Sequence, residues 1–256
     1  MITYIVLTIL FILAVTVFHY CAIKRGPRDV VLTKGIASLI FVIVGALGMA
    51  RFLPAMISVQ PSDAIPFIFM FAGLCCGLAG DVLLAFRNIS PARKNLFIIF
   101  GIIAFALGHI CYSVLTFDFY STALAYDNAS TQSHKNLMLA LPFLLSVPLT
   151  GIILATAPCL KLDFGKLKPG VAIYTYIIFI FITSAISSGI MAYANANYYH
   201  PLFFIIPVLL FASSDFMLSQ NYFDKENKHN EPKHIIAIHV TYYLAQYMFA
   251  SILYFL

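Results

Sequence analysis

Eight apolar runs, each close to 20 residues long, set what this chain can fold into. They cover about residues 2–22, 30–49, 66–86, 95–116, 137–157, 171–192, 201–219 and 235–256. An α-helix needs about 20 apolar residues to cross a bilayer. Apolar residues make up 62% of the chain and charged residues 10%, against about 25% charged in soluble domains. The pattern predicts an all-α, polytopic membrane protein with eight transmembrane helices and a single domain, 1–256.

The basic residues predict the orientation of these helices. Of the 15 Lys and Arg residues, thirteen flank the first, third, fifth and seventh loops, and only Arg51 and Lys135 fall on the other side. Loops rich in Lys and Arg stay in the cytoplasm. We therefore expect non-cytoplasmic termini, in a bacterial inner (plasma) membrane. The first run lacks signal-peptide features and should be retained, and the polar stretch from Phe117 to Asn136 should be a solvated external loop.

Two carboxylates stand inside these apolar runs. Asp81 lies in the third run and Asp215 in the seventh, and a carboxylate in hydrocarbon costs at least about 2.5–3.5 kcal/mol. Both runs lead towards the cytoplasm, and at 1.5 Å per residue each aspartate should lie roughly 8–9 Å from that end. Such costly residues mark a functional site by default. We predict that both are catalytic, with the site in the cytoplasmic half of the membrane.

Other polar side chains fall in the same predicted layer, on three further helices. They are Lys34, Tyr174, His239, Tyr242, Tyr243 and Gln246. Lys34 can belong to this site. Two other interpretations compete with that role, because Lys34 can be the structural partner of Asp81 or extend to the interface. His109 lies nearer the outer half of its own run, where a hydrogen bond between helices is the competing interpretation. The layer is a candidate pocket.

The order and spacing of these residues resemble a known family. Four phrases carry the likeness: Gly80-Asp81-x-x-Leu84, Phe105-x-x-Gly108-His109-x-x-Tyr112, Phe211-Ala-x-Ser-Asp215 and Thr241-Tyr-Tyr-Leu-Ala-Gln246. Together they resemble the YhhN-like lysoplasmalogenase family of eight-helix membrane proteins. The pair Thr33-Lys34 also fits, whereas Gly35 stands where the family would have proline.

The resemblance implies hydrolysis of the vinyl-ether bond of lysoplasmalogens to a fatty aldehyde and a glycerophospho-head-group alcohol. Asp81 and Asp215 would be the catalytic pair. Vinyl-ether cleavage suits two carboxyl groups, one giving a proton to carbon and one, ionised, stabilising the oxocarbenium ion and activating water. The residues suggested for substrate binding are Lys34, Tyr174, Tyr242, Tyr243, Gln246 and His109. Lys34 would take the lipid phosphate, and Tyr243 and Gln246 would orient water or the glycerol hydroxyl.

Three other roles stay open, and one of them is a purely structural or lipid-binding role. A proton-coupled transporter also uses membrane aspartates as relays, although transporter sites favour the bilayer midplane. A metal-dependent membrane lipid hydrolase would use Asp81, Asp215, His109 and His239 as ligands. For the preferred function we expect no metal or cofactor, a lysophospholipid substrate within the bilayer, no nucleic acid and no obligate protein partner.

Overall fold

The chain folds into long α-helices that confirm the predicted class. The computed structural model describes residues 1–128, 130–196, 202–225 and 231–255. Within those ranges eight helices are long and apolar enough to cross a membrane. They are α1 (Ile2–Lys24), α2 (Pro27–Val59), α3 (Ile65–Phe86), α4 (Lys94–Ala125), α5 (Gln132–Thr156), α6 (Lys168–Ala196), α7 (Leu202–Phe223) and α8 (Pro232–Phe255). The first residue of the seventh predicted run and the last of the eighth, 201 and 256, lie outside the described residues, as does Lys228 of the seventh loop.

Two helices continue beyond the apolar runs that predicted them. The stretch from Phe117 to Asn136 was expected to be a solvated loop, but α4 reaches Ala125 and α5 begins at Gln132. The prediction was wrong because only one face of this stretch is polar. Tyr120 and Leu124 are buried, whereas Asp118 is exposed. The buried face keeps the helix packed after the continuous apolar run has ended.

α2 is likewise longer than its apolar run, because it accommodates a charged residue. Arg51, expected in a loop, lies inside the 33-residue helix. Its guanidinium carbon is 5.2 Å from the centre of the Tyr254 ring, and one of its N–H groups donates to the Tyr254 carbonyl at 3.4 Å. These contacts offset part of the cost of the charge, so the helix continues past it.

The helices form two compact units, each with its own interior. The first unit holds residues 1–111 and 246–256, and the second holds 112–245. The boundaries fall within α4 and within α8. The expectation that residues 1–256 form a single domain stays a prediction.

Close approach of α2 and α8 in the first unit depends on a glycine. A Cβ atom built on Gly48 would overlap the backbone of Leu253 and Tyr254. Membrane helices associate through small residues of this kind, because lipid offers no hydrophobic drive for one helix to pack on another. Backbone at the contact point cannot move aside as a flexible side chain would.

We expect Gly48→Ala to destabilise the first unit by about 1–3 kcal/mol, the usual cost of overpacking. The matched control is Gly151→Ala in α5, where an added Cβ would meet nothing within 4 Å. Alanine favours a helix over glycine, so the control should be as stable as the wild type or slightly more stable. Unfolding in mixed micelles with increasing SDS compares the two. Equal loss of stability in both variants would contradict the packing argument.

A proline shapes the interior of the second unit. Pro142 lies inside α5 and has no N–H, so the Met138 carbonyl one turn earlier receives no bond from it. The Tyr120 hydroxyl on α4 donates to that carbonyl at 2.9 Å. The hydroxyl groups of Thr116 on α4 and Ser184 on α6 are hydrogen-bonded at 2.7 Å. These buried polar contacts connect α4 to α5 and α6.

Candidate functional site

Asp81 is the most enclosed acidic group of the first unit and has a polar partner on each oxygen. It is only 1% exposed. The Lys34 ammonium lies 3.0 Å from Oδ1, and the Ser38 hydroxyl donates to Oδ2 at 2.6 Å. Both partners come from α2. The Asp81–Lys34 pair, one of the two interpretations left open by the sequence, is therefore present.

Helix periodicity explains why one helix supplies both partners. Lys34 and Ser38 are four residues apart, so they lie on the same face of α2, one turn apart. Lys34 is 8% exposed and Ser38 is fully buried. The Ser38 hydroxyl also lies 3.0 Å from the Lys34 carbonyl oxygen, a second acceptor for its single proton.

The residue before Asp81 fixes how α3 meets α4. A Cβ atom built on Gly80 would lie 2.8 Å from the Phe105 ring. One turn further along α4, Gly108 comes close to Cys76, with 3.4 Å from its built Cβ to the Cys76 Cβ. The glycines of the Gly-Asp and Gly-His phrases therefore allow α3 and α4 to pack closely beside Asp81.

Asp215 lies in the second unit and is 9% exposed. The Tyr174 hydroxyl on α6 donates to its Oδ2 at 2.8 Å. The preceding residue, Ser214, donates to the Ile238 carbonyl of α8 at 2.9 Å. α7 is thus tied to α6 through the carboxyl group and to α8 through the neighbouring serine.

Three of the four predicted residues of α8 are buried, whereas His239 is half-buried, and the three buried ones divide between the units. Tyr242 and Tyr243 belong to the second unit, and Gln246, fully buried, belongs to the first. The Tyr242 ring packs edge-on against Phe211, with centroids 5.3 Å apart. Phe211 also meets Tyr112 at 6.4 Å. Phe211, which lies one helical turn before Asp215 in α7, therefore packs against aromatic residues of two other family-like phrases.

His109 is held by its own helix. The Nδ1 atom shares a hydrogen bond of 2.7 Å with the Phe105 carbonyl, four residues earlier, and the side chain is 1% exposed. The expectation of a substrate-binding role for it stays a prediction. Within the described ranges, no cluster of three or more His, Cys, Asp or Glu residues has the arrangement needed to hold a metal ion.

The structure joins two pairs of the predicted residues, Lys34 with Asp81 and Tyr174 with Asp215. Sequence reasoning missed Ser38. Its four-residue spacing from Lys34 was the available signal, but serine is common in membrane helices and carries no charge. Only the position of α3 beside α2 shows that this hydroxyl faces a carboxylate.

Comparison with known proteins supports the likeness seen in the sequence. The YhhN family model matches residues 42–253, which is most of the chain. The chain belongs to the YhhN family. Asp81 and Asp215 both lie inside the range matched by the YhhN model, whereas Lys34 and Ser38 precede it. No curated protein and no solved structure matches the chain.

Proposed function

We propose that this YhhN-family protein hydrolyses the vinyl-ether bond of lysoplasmalogens. Family membership favours a lysoplasmalogenase-type hydrolase. The observation that carries the proposal is that each unit encloses a carboxyl group held by a hydrogen-bond donor, Asp81 by Ser38 and Asp215 by Tyr174. Carboxyl groups are rarely placed in hydrocarbon without a function.

The proposed reaction needs a proton donor and an ionised carboxylate. A proton added to the vinyl carbon next to the ether-bearing carbon leaves an oxocarbenium ion, which the carboxylate stabilises. Water then attacks the ether-bearing carbon and loses a proton to a general base. The resulting hemiacetal breaks its bond to the glycerol oxygen, giving a fatty aldehyde and the glycerophospho alcohol. Asp81 and Asp215 are proposed for these two carboxyl roles.

The substrate ligands remain proposals. Tyr174, Tyr242, Tyr243, Gln246 and His109 are proposed to contact the lipid or the attacking water, since each offers a hydrogen bond within an otherwise apolar setting. The alkenyl chain would enter from the cytoplasmic leaflet of the membrane. Lys34 has two chemically reasonable partners, the phosphate of the lipid and the carboxylate of Asp81.

The test supplies the purified protein with 1-alkenyl lysophosphatidylethanolamine, and with the 1-acyl and 1-alkyl analogues. Aldehyde should form from the alkenyl lipid alone, because the other two lack a double bond to protonate. In D2O the aldehyde should carry one deuterium on the carbon next to the carbonyl. Absence of aldehyde from every alkenyl lipid would sink the proposal, and uptake driven by a pH gradient in proteoliposomes would favour the transporter.

Tyr174→Phe should slow the proposed reaction about 2–10-fold, because a typical hydrogen bond contributes about 0.5–1.5 kcal/mol. The hydroxyl that orients Asp215 is lost while the ring remains. The matched control is Tyr176→Phe, which removes the same hydroxyl two residues further along the same helix, on a different face. Initial rates of aldehyde release under saturating lipid compare the two. Equal rates for Tyr174→Phe and wild type would show that this hydrogen bond is dispensable.

A further inference from the structure

Two donors from one helix turn occupy the two oxygens of Asp81. Lys34 contacts Oδ1 at 3.0 Å and Ser38 donates to Oδ2 at 2.6 Å. All three side chains are buried. We call this arrangement of Lys34, Ser38 and Asp81 the α2 clamp.

The chemistry of the α2 clamp suits an ionised carboxylate. An ammonium group has three donors and no acceptor, so it donates to a carboxylate oxygen and cannot accept a hydrogen bond from a protonated carboxyl group. A cation at this distance stabilises the negative charge, and more strongly inside a protein than in water. Donors on both oxygens also fix the plane of the carboxylate.

We propose that Lys34 and Ser38 are positioning residues that hold Asp81 as the ionised carboxylate of the reaction, which leaves Asp215 as the proton donor. This inference rests on the proposed function and assigns its two carboxyl roles. It also reassigns Lys34, which serves Asp81 and not the lipid phosphate. The range matched by the family model begins at residue 42, so it contains neither Lys34 nor Ser38.

The protons balance over one cycle. Asp215 gives its proton to the vinyl carbon, and Asp81 stabilises the cation that results. Water adds to the ether-bearing carbon and passes a proton to Asp81. That proton then moves to the departing glycerol oxygen as the carbon–oxygen bond breaks, and the hemiacetal hydroxyl returns a proton to Asp215.

Ser38 has a part in the proton transfer from water. Its hydroxyl has two acceptors within reach, Asp81 Oδ2 at 2.6 Å and the Lys34 carbonyl at 3.0 Å. Turning from the first to the second frees Oδ2 to accept the proton of water, while Lys34 continues to hold Oδ1. A single rotation about the serine side chain is sufficient, and no helix has to move.

The first experiment separates the clamp from phosphate binding. Steady-state rates are measured on alkenyl lysophosphatidylethanolamine and on 1-alkenylglycerol, which has no phosphate. Lys34→Gln should lower kcat about 10²-fold on both lipids with little change in KM, the pattern of a lost transition-state interaction. Lys34→Arg should restore most of the loss. Lys94→Gln, at the exposed start of α4, is the matched control.

Ser38→Ala leaves the charges of Lys34 and Asp81 in place. It therefore tests the α2 clamp even if the Lys34→Gln variant does not fold. It should lower kcat about tenfold, as expected for one hydrogen bond to a charged group. The control is Ser58→Ala, an exposed serine of α2 whose hydroxyl bonds to its own helix at 2.7 Å. A rise in KM confined to the phosphorylated lipid, or an unchanged kcat in both Lys34→Gln and Ser38→Ala, would overturn the clamp. No aldehyde from the wild type on either lipid would instead overturn the proposed function.

The second experiment tests the assignment of roles. If Asp215 protonates carbon, Asp81→Asn still protonates the lipid reversibly, and unreacted lipid recovered from D2O carries deuterium at the vinyl carbon. Asp215→Asn should return unlabelled lipid. Deuterium in the lipid recovered from Asp215→Asn and not from Asp81→Asn would reverse the assignment.

Discussion

Asp215→Asn is expected to lower the rate of aldehyde release by about 10³-fold or more, within the range of general acid–base catalysis. Asparagine keeps the shape of the side chain, and its oxygen can still accept the Tyr174 hydrogen bond. It cannot deliver a proton to carbon. Asp81→Asn should cause a loss of similar size, because the amide cannot accept a proton from water, so the oxocarbenium ion reverts to lipid more often than water captures it.

Asp63→Asn is the control for both substitutions, since Asp63 is an exposed carboxylate in the short 3-10 helix Pro61–Ala64 before α3. It should react at the wild-type rate. Each variant is compared at equal amounts of inserted, monodisperse protein. Wild-type rates from both Asp81→Asn and Asp215→Asn would remove the aspartate pair from the mechanism. A loss in only one of them would leave a single catalytic carboxylate.

Lys34→Met is expected to destabilise the protein by about 3–5 kcal/mol, the cost of leaving a buried charge without its partner. Asp81 is 1% exposed, and its Oδ1 would lose the ammonium at 3.0 Å. The transition in mixed micelles should move to a lower SDS fraction. The exposed Lys94→Met should leave that transition in place.

The companion variant Lys34→Met/Asp81→Asn separates the ion pair from simple packing. It removes the stranded charge, so it should recover most of the lost stability, as neutral replacements of buried ion pairs often do. Ser38 would still have an acceptor in the asparagine oxygen. If the double variant were as unstable as Lys34→Met alone, the methylene stem of Lys34 and not its charge would be responsible. This readout needs no substrate and is independent of the proposed function.

The sequence predicted the class of fold because burial in lipid is a local property. Each run of about 20 apolar residues predicts its own span without reference to the others. The ends of α2 and α4 were missed for the opposite reason. Read alone, Arg51 and the polar residues near Asp118 are typical of a loop. Both lie in helices because Arg51 contacts Tyr254 and because Tyr120, on the other face of α4, is buried.

The sequence by itself determined that this is an eight-helix membrane protein and that Asp81 and Asp215 are its unusual residues, because an ionisable group in hydrocarbon is costly wherever its partners lie. Only the tertiary structure decided what holds each of them. Ser38 is 43 residues from Asp81 and Tyr174 is 41 residues from Asp215, and no local pattern specifies which helices will be neighbours. Lys34, equally suited to a phosphate or a carboxylate in the sequence, lies against the carboxylate because α2 packs on α3.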